Sequence, residues 1–147
     1  MEKETLYVAY GSNLNVRQMG FRCPDAMVVG IGLIRDYKLA FRGVATIEPS
    51  KGDAVPVGVW KVSKRDEKAL DIYEGYPRLY RKETVEVEMA NGETVDAMVY
   101  IMNTGRPGMP AQYYLQTIEQ GYGDIGLDIK YLEAALRDTE ARMKKEK

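Results

Sequence analysis

The sequence predicts an α+β fold: a curled sheet or small mixed β-barrel with helices packed outside it. Three observations lead there. Strand and helix patterns follow one another as strand, helix, strands, helix, hairpin and two helices, which is not the regular alternation of a parallel βαβ sheet. The stretch TVEVEMANGETVDAMVYIM holds two alternating runs joined at Asn91-Gly92, a pair that type I′ hairpin turns prefer. Finally, 147 residues at 45% hydrophobic and 29% charged, with no repeat or Pro/Gly/Ser linker, make one domain over residues 1–147 with an ordinary core.

Leu6 to Tyr10 is rich in strand formers and reads as a buried strand. Asn15 is placed to cap a short helix over Val16 to Phe21, with Met19 and Phe21 as its packing residues. In LIRDYKLAFRG, alternation sets Tyr37, Leu39 and Phe41 on one strand face and Lys38 and Arg42 on the other. VPVGVWKVS is a more continuously apolar strand carrying Trp60. Ser63 opens a helix with Asp66 in the capping-box position, and Gly75 is placed to end it. In that helix Asp66, Lys68 and Asp71 are expected to face water, with Leu70 and Tyr73 on the apolar stripe. Beyond the loop NTGRPGMP, Ala111 to Gln120 reads as a helix stopped by Gly121. A last helix starts from a cap at Asp128, with Ile129, Leu132, Ala135 and Leu136 on one face and a solvated basic end, RMKKEK.

Composition narrows the chemistry. There is no histidine, which removes Ser-His and Cys-His nucleophile pairs, histidine acid/base catalysis and nearly all zinc sites. In an enzyme of this composition, protons must be moved by a carboxylate, tyrosine or lysine. Lys and Arg total 21 against 22 Asp and Glu, so no global field recruits nucleic acid or an anionic membrane. No apolar run approaches the roughly 20 residues of a spanning helix, and a soluble, cytoplasmic protein is expected. Cys23 has no CxxC partner and reads as a semi-buried apolar thiol. There is no GxxxxGK[ST] phosphate loop, and the glycines of Gly30 to Gly32 lack the third glycine of a dinucleotide fingerprint.

Two stretches stand out chemically. In YGSNL, a strand runs into Gly11, Ser12 and Asn13, whose backbone N–H groups at a helix start suit an anion such as a carboxylate. A plain strand-to-helix turn with a polar cap is the other reading. In LDIYEGYPRLY, Glu74 follows Leu70 by four residues and shares its apolar stripe in the last helical turn. Burial and the helix dipole there both raise its pKa, towards the range of about 6–7 that suits a proton shuttle. Alternatively, Glu74 bends out to solvent beside Gly75.

YVAYGSNL, GVATIEPSKGDAVPVGVWKV, LDIYEGYPRLYRK and MPAQYYLQTIEQGYGDIGLDIKYLEAAL, in that order from Tyr7 to Leu136, resemble the γ-glutamylcyclotransferase family. The resemblance implies a small mixed β-barrel with flanking helices. It also implies conversion of a γ-glutamyl amine or peptide to 5-oxoproline and a free amine, without metal or cofactor. Gly11, Ser12, Asn13 and Leu14 match the family's substrate loop, with Tyr10 the tyrosine just before it. Glu74 matches its general acid/base, Tyr80 a site tyrosine, and Tyr113 in MPAQY a tyrosine that follows the hairpin, with Tyr114 adjacent. Where relatives often read GLP this chain reads Gly126-Leu127-Asp128, and Asp128 keeps a helix cap.

The expected partner is a small-molecule γ-glutamyl substrate, with room for a homodimer. The oxyanion donor is open between the loop N–H groups and a tyrosine hydroxyl, with Tyr10, Tyr80 and Tyr113 as positioning candidates. The loop NTGRPGMP and the region of Met27 are candidates for shaping the leaving-group end. A pathway-specific deprotecting relative and a non-catalytic sensor of a glutamyl-like metabolite are the alternative readings.

Overall fold

The structure, a computed structural model, describes residues 5–146. The ends of the expected 1–147 domain, residues 1–4 and 147, lie outside the described residues. Five strands form a closed barrel: β1 (Thr5–Ala9), β2 (Met27–Phe41), β3 (Ala45–Val62), β4 (Tyr80–Met89) and β5 (Thr94–Met102). Around the barrel the order is β1, β3, β2, β4, β5, all antiparallel, and a parallel seam pairing Tyr7 with Met98 joins β5 back to β1. The barrel closes through short seams, since β2 meets β4 only at Gly32–Met89 and Leu33–Glu88. The mixed barrel is the one the sequence predicted.

Binary patterning makes the wall. In β4 the side chains of Val85, Val87 and Met89 turn inward while Thr84, Glu86 and Glu88 stay in water, the period-two alternation of a half-buried strand. β3 contributes Val55, Val57 and Val59 to the same core. The β4–β5 turn differs from the expected type I′. Only Gly92 takes a positive φ, of 92°, and Gly92 N–H donates to Met89 at 2.9 Å. With Met89 N–H bonded to Glu93, Ala90-Asn91-Gly92 is a three-residue loop in which glycine takes the left-handed position. Asn91 instead uses its side-chain oxygen, accepting Glu93 N–H at 2.9 Å.

Four α-helices flank the barrel: α1 (Val16–Arg22), α2 (Lys64–Glu74), α3 (Gln112–Ile125) and α4 (Ile129–Lys145). A 3₁₀ turn, Ser12–Leu14, precedes α1. Asn15 caps α1 by accepting Gln18 N–H, and Met19 is buried, but Phe21 is 74% exposed rather than packed. In α2 the Ser63–Asp66 capping box is formed in both directions, and Gly75 ends the helix in the left-handed conformation. Asp66 does not face water: it is buried because its carboxylate takes both Ser63 N–H and Asp25 N–H. Asp71 is likewise engaged, by Lys82 and the Tyr100 hydroxyl. In α4, Leu132 and Ala135 are buried as expected, whereas Ile129 at its first position is exposed. No helix among the described residues is long and apolar enough to cross a membrane.

The largest departure from expectation concerns α3, which Gly121 does not stop; it runs to Ile125 and ends at Gly126. A Cβ at Gly121 would lie 2.7 Å from Asn15 N and from Leu14 C, so glycine is needed there for close approach. The helix lies directly on the chain that follows the Ser12–Leu14 turn and fixes that loop against the barrel.

Candidate active site

A cavity of about 200 Å³ opens where β1 runs into the Ser12–Leu14 turn, bounded by the end of α2, the start of β3, and α3. Its walls include Tyr10, Gly11, Ser12, Asn13, Glu74 and Tyr80, six residues that the sequence singled out separately.

Glu74 is the last residue of α2 and is carried to the cavity by its helical register with fully buried Leu70. It is half-buried, and no hydrogen-bond donor among the described residues reaches its carboxylate. Burial raises its pKa to about 7, against the opposing pull of the Arg22 guanidinium. A carboxylate so placed gains and releases a proton near neutrality.

Opposite it, the backbone N–H groups of Gly11, Ser12 and Asn13 have no acceptor among the described residues. Leu14 departs from the loop's expected role. Its N–H closes the 3₁₀ turn on the Gly11 carbonyl at 3.0 Å, and its side chain is buried in the core. The loop N–H groups without an acceptor among the described residues are therefore those of residues 11 to 13, and Leu14 anchors them. Gly11 itself is hemmed in, since a Cβ there would lie 3.1 Å from the Ala45 Cβ.

Several tyrosines complete the wall. Tyr10 and Tyr80 are buried, their hydroxyls donating to the carbonyls of Tyr100 and Ala45, each at 2.7 Å. Burial pushes both phenols well above the ordinary tyrosine range. Tyr113 is not in the cavity. It is 76% exposed on the outer face of α3, and the adjacent Tyr114 lines the site, accepting Ala45 N–H at 3.0 Å. The helical register turns one of two neighbouring tyrosines inward, and it is the second.

Sequence reasoning missed Tyr7, Tyr100 and Arg22. Tyr7 and Tyr100 line the cavity and pack edge to face at 5.9 Å. A tyrosine inside a buried strand was the available signal for Tyr7, because its hydroxyl needs a partner. Arg22 in the last turn of α1 bonds the Asn13 side-chain oxygen and lies 3.5 Å over the Tyr73 ring; nothing in its local sequence marked it. The loop Asn103 to Pro110 and Met27 contribute nothing to the lining, where Val44 and Leu79 supply the apolar side. Cys23 is buried with its thiol pushed up to about 12, chiefly by burial, and is chemically quiet.

Comparison with known proteins agrees with this geometry. The family model described as gamma-glutamyl cyclotransferase, AIG2-like, matches residues 7–121. The human protein named gamma-glutamylcyclotransferase is 32% identical over 145 residues, covering 90% of this chain and 77% of its own length. The mouse protein of that name is also 32% identical, over 146 residues, 90% of this chain and 78% of its own. A solved structure named gamma-glutamyl cyclotransferase superposes with a TM-score of 0.83 at 29% identity, covering 90% of this chain and 86% of that one. In fold, in the sequence of its motifs and over most of its length, this chain belongs to the gamma-glutamyl cyclotransferase, AIG2-like family.

Proposed function

We propose that this protein is a γ-glutamylcyclotransferase that converts a γ-glutamyl amine or small γ-glutamyl peptide to 5-oxoproline and a free amine, with Glu74 as general acid/base. The observation that carries this reading is the pairing of Glu74, at a pKa of about 7, with the acceptor-free N–H groups of Gly11 to Asn13 in one cavity.

The substrate brings its own nucleophile. Its α-amino group can reach the γ-carbonyl carbon through a five-membered ring, and holding the chain folded supplies the large advantage of an intramolecular reaction. The loop N–H groups take the α-carboxylate. Glu74 accepts a proton from the α-ammonium, and the freed amine attacks the γ-carbon. Glu74 then returns a proton to the departing nitrogen as the C–N bond breaks. At neutral pH the lactam nitrogen has given up two protons and the released ammonium has gained two, so no water is consumed. Val44 and Leu79 offer the departing amine an apolar surface.

The direct experiment follows 5-oxoproline release by mass spectrometry from γ-glutamyl amino acids, γ-glutamyl alkylamines and γ-glutamyl-lysine, with Glu74→Gln alongside. Release by the wild type and none by the variant is the expected result and identifies the leaving amine. A folded protein silent on the whole panel would overturn the reading in favour of a specialised deprotecting enzyme or a sensor. Ligand-induced thermal shift separates those two.

A further inference from the structure

Three of the six phenols that line the cavity have already committed their protons. Tyr10 donates to the Tyr100 carbonyl, Tyr80 to the Ala45 carbonyl, and Tyr100 to the Asp71 carboxylate at 2.6 Å. Tyr73 shares a hydrogen bond of 2.9 Å with Ser12 Oγ. Tyr7 differs. Its oxygen accepts from Asn13 Nδ2 at 2.9 Å, and no acceptor among the described residues takes its own proton. It is 3% exposed and lines the cavity, so a bound molecule is the acceptor left to it.

What stands behind Tyr7 gives that proton its purpose. Arg22 Nη1 bonds Asn13 Oδ1. A guanidinium only donates, so this contact fixes the orientation of the amide and leaves its NH₂ to face Tyr7. Every bond in the series Arg22, Asn13, Tyr7 therefore points the same way, from the cation towards the cavity, and each donor is polarised by the one behind it. Placed in the cavity itself, Arg22 would pair with Glu74 and hold that carboxylate ionised. Set one residue back, it draws on the ligand through Asn13 and Tyr7 while Glu74 keeps its pKa of about 7. Tyr7 and the proton-transferring Glu74 line the same cavity. Tyr114, whose oxygen also accepts an N–H, takes it from the neutral Ala45 backbone.

Resting on the γ-glutamyl reading above, we propose that the Tyr7 hydroxyl is the donor to the γ-carbonyl oxygen as it becomes an oxyanion, with Arg22 and Asn13 as positioning residues that polarise it. A donor set for charge that exists only in the transition state raises kcat and leaves substrate binding nearly untouched.

The test is steady-state kinetics of 5-oxoproline release on the alkaline plateau, for wild type, Tyr7→Phe, Arg22→Gln and the double variant. Tyr7→Phe is expected to lower kcat by about 10²-fold, with KM changed little. Arg22→Gln is expected to lower kcat by about tenfold alone and to add nothing further in the Tyr7→Phe background, because the two act through one path. An unchanged kcat in Tyr7→Phe, a loss confined to KM, or fully multiplicative effects overturns the proposal. Should Tyr7→Phe fail to fold, Arg22→Gln decides alone: an unchanged plateau kcat rejects the relay. Wild-type silence on γ-glutamyl substrates removes the functional reading and this inference with it, whereas an active wild type with an unaffected Tyr7→Phe removes only the inference.

Discussion

Tyr114 on α3 accepts the N–H of Ala45, the first residue of β3, at 3.0 Å, fastening the helix to the barrel beside the Gly11 loop. The same hydroxyl is the near neighbour of Gly11, 3.5 Å from where a Cβ would stand. Tyr114→Phe leaves a part-buried N–H without its acceptor, at a cost of about 1 kcal/mol. KM should rise as the loop loosens. Tyr113→Ala, on the solvent face, should keep wild-type kinetics and a stability within about 0.5 kcal/mol of it. Chemical denaturation and kinetics of the two variants check both; the reverse ranking would restore Tyr113 to the site.

The acidic limb of the rate profile should belong to Glu74. With no histidine in the chain, kcat/KM should climb as pH rises through about 7 and the carboxylate becomes a base. Glu74→Gln should lose activity by about 10²–10⁴-fold and lose this limb with it. A variant that keeps the limb would assign the titration elsewhere.

Stability should show the same group with the opposite sense. Glu74 has a folded pKa of about 7, above the ordinary 4.5, so the native state holds a proton that the unfolded chain has released. Native stability therefore falls as pH rises from about 4.5 to 7 and remains lower above that. Glu74→Gln removes this loss, so at pH 8 the variant should be the more stable protein, by a difference of order 1–3 kcal/mol. At pH 4, where both states of the wild type are protonated, the gap should close. Thermal melts at the two pH values measure it.

Two glycines on α3 should respond in opposite ways to alanine. Gly121→Ala drives a methyl into the Leu14 and Asn15 backbone and should cost about 1–3 kcal/mol, with activity falling as the loop is displaced. Gly123 has nothing within 4 Å of a Cβ, and Gly123→Ala should stabilise by roughly 0.5–1 kcal/mol through helix propensity. Equal responses would contradict the close contact between helix and loop.

Much of this was legible beforehand because it is local. The Ser63–Asp66 box, the Asn15 and Asp128 caps and the alternation of Val85, Val87 and Met89 are each set by residues a few positions apart, and each appears in the structure. Glu74 was legible for a similar reason, since its register with Leu70 carries it to the buried side of α2. What failed was what depends on distant partners. Gly121 reads as a stop until Leu14 and Asn15 are seen against it. Asp66 reads as solvated until Asp25 N–H reaches its carboxylate. Arg22 reads as an ordinary helix-end cation, and only the fold brings it to Asn13 and Tyr73. Between Tyr113 and Tyr114, one residue of helical phase decided the matter, and phase at a helix start is poorly fixed by sequence.

The parallel seam of Tyr7 with Met98 has a consequence for the timing of assembly. Among the described strands β1 is made first and is held on one side by β5, so the barrel cannot shut until synthesis has passed β5. Tyr114 and Gly121, which hold the Gly11 loop, emerge later still. A nascent chain thus carries an open sheet edge until β5 has been made, and pairings this distant in sequence close slowly. Catalytic competence should arrive late and all at once, with no active fragment ending before α3.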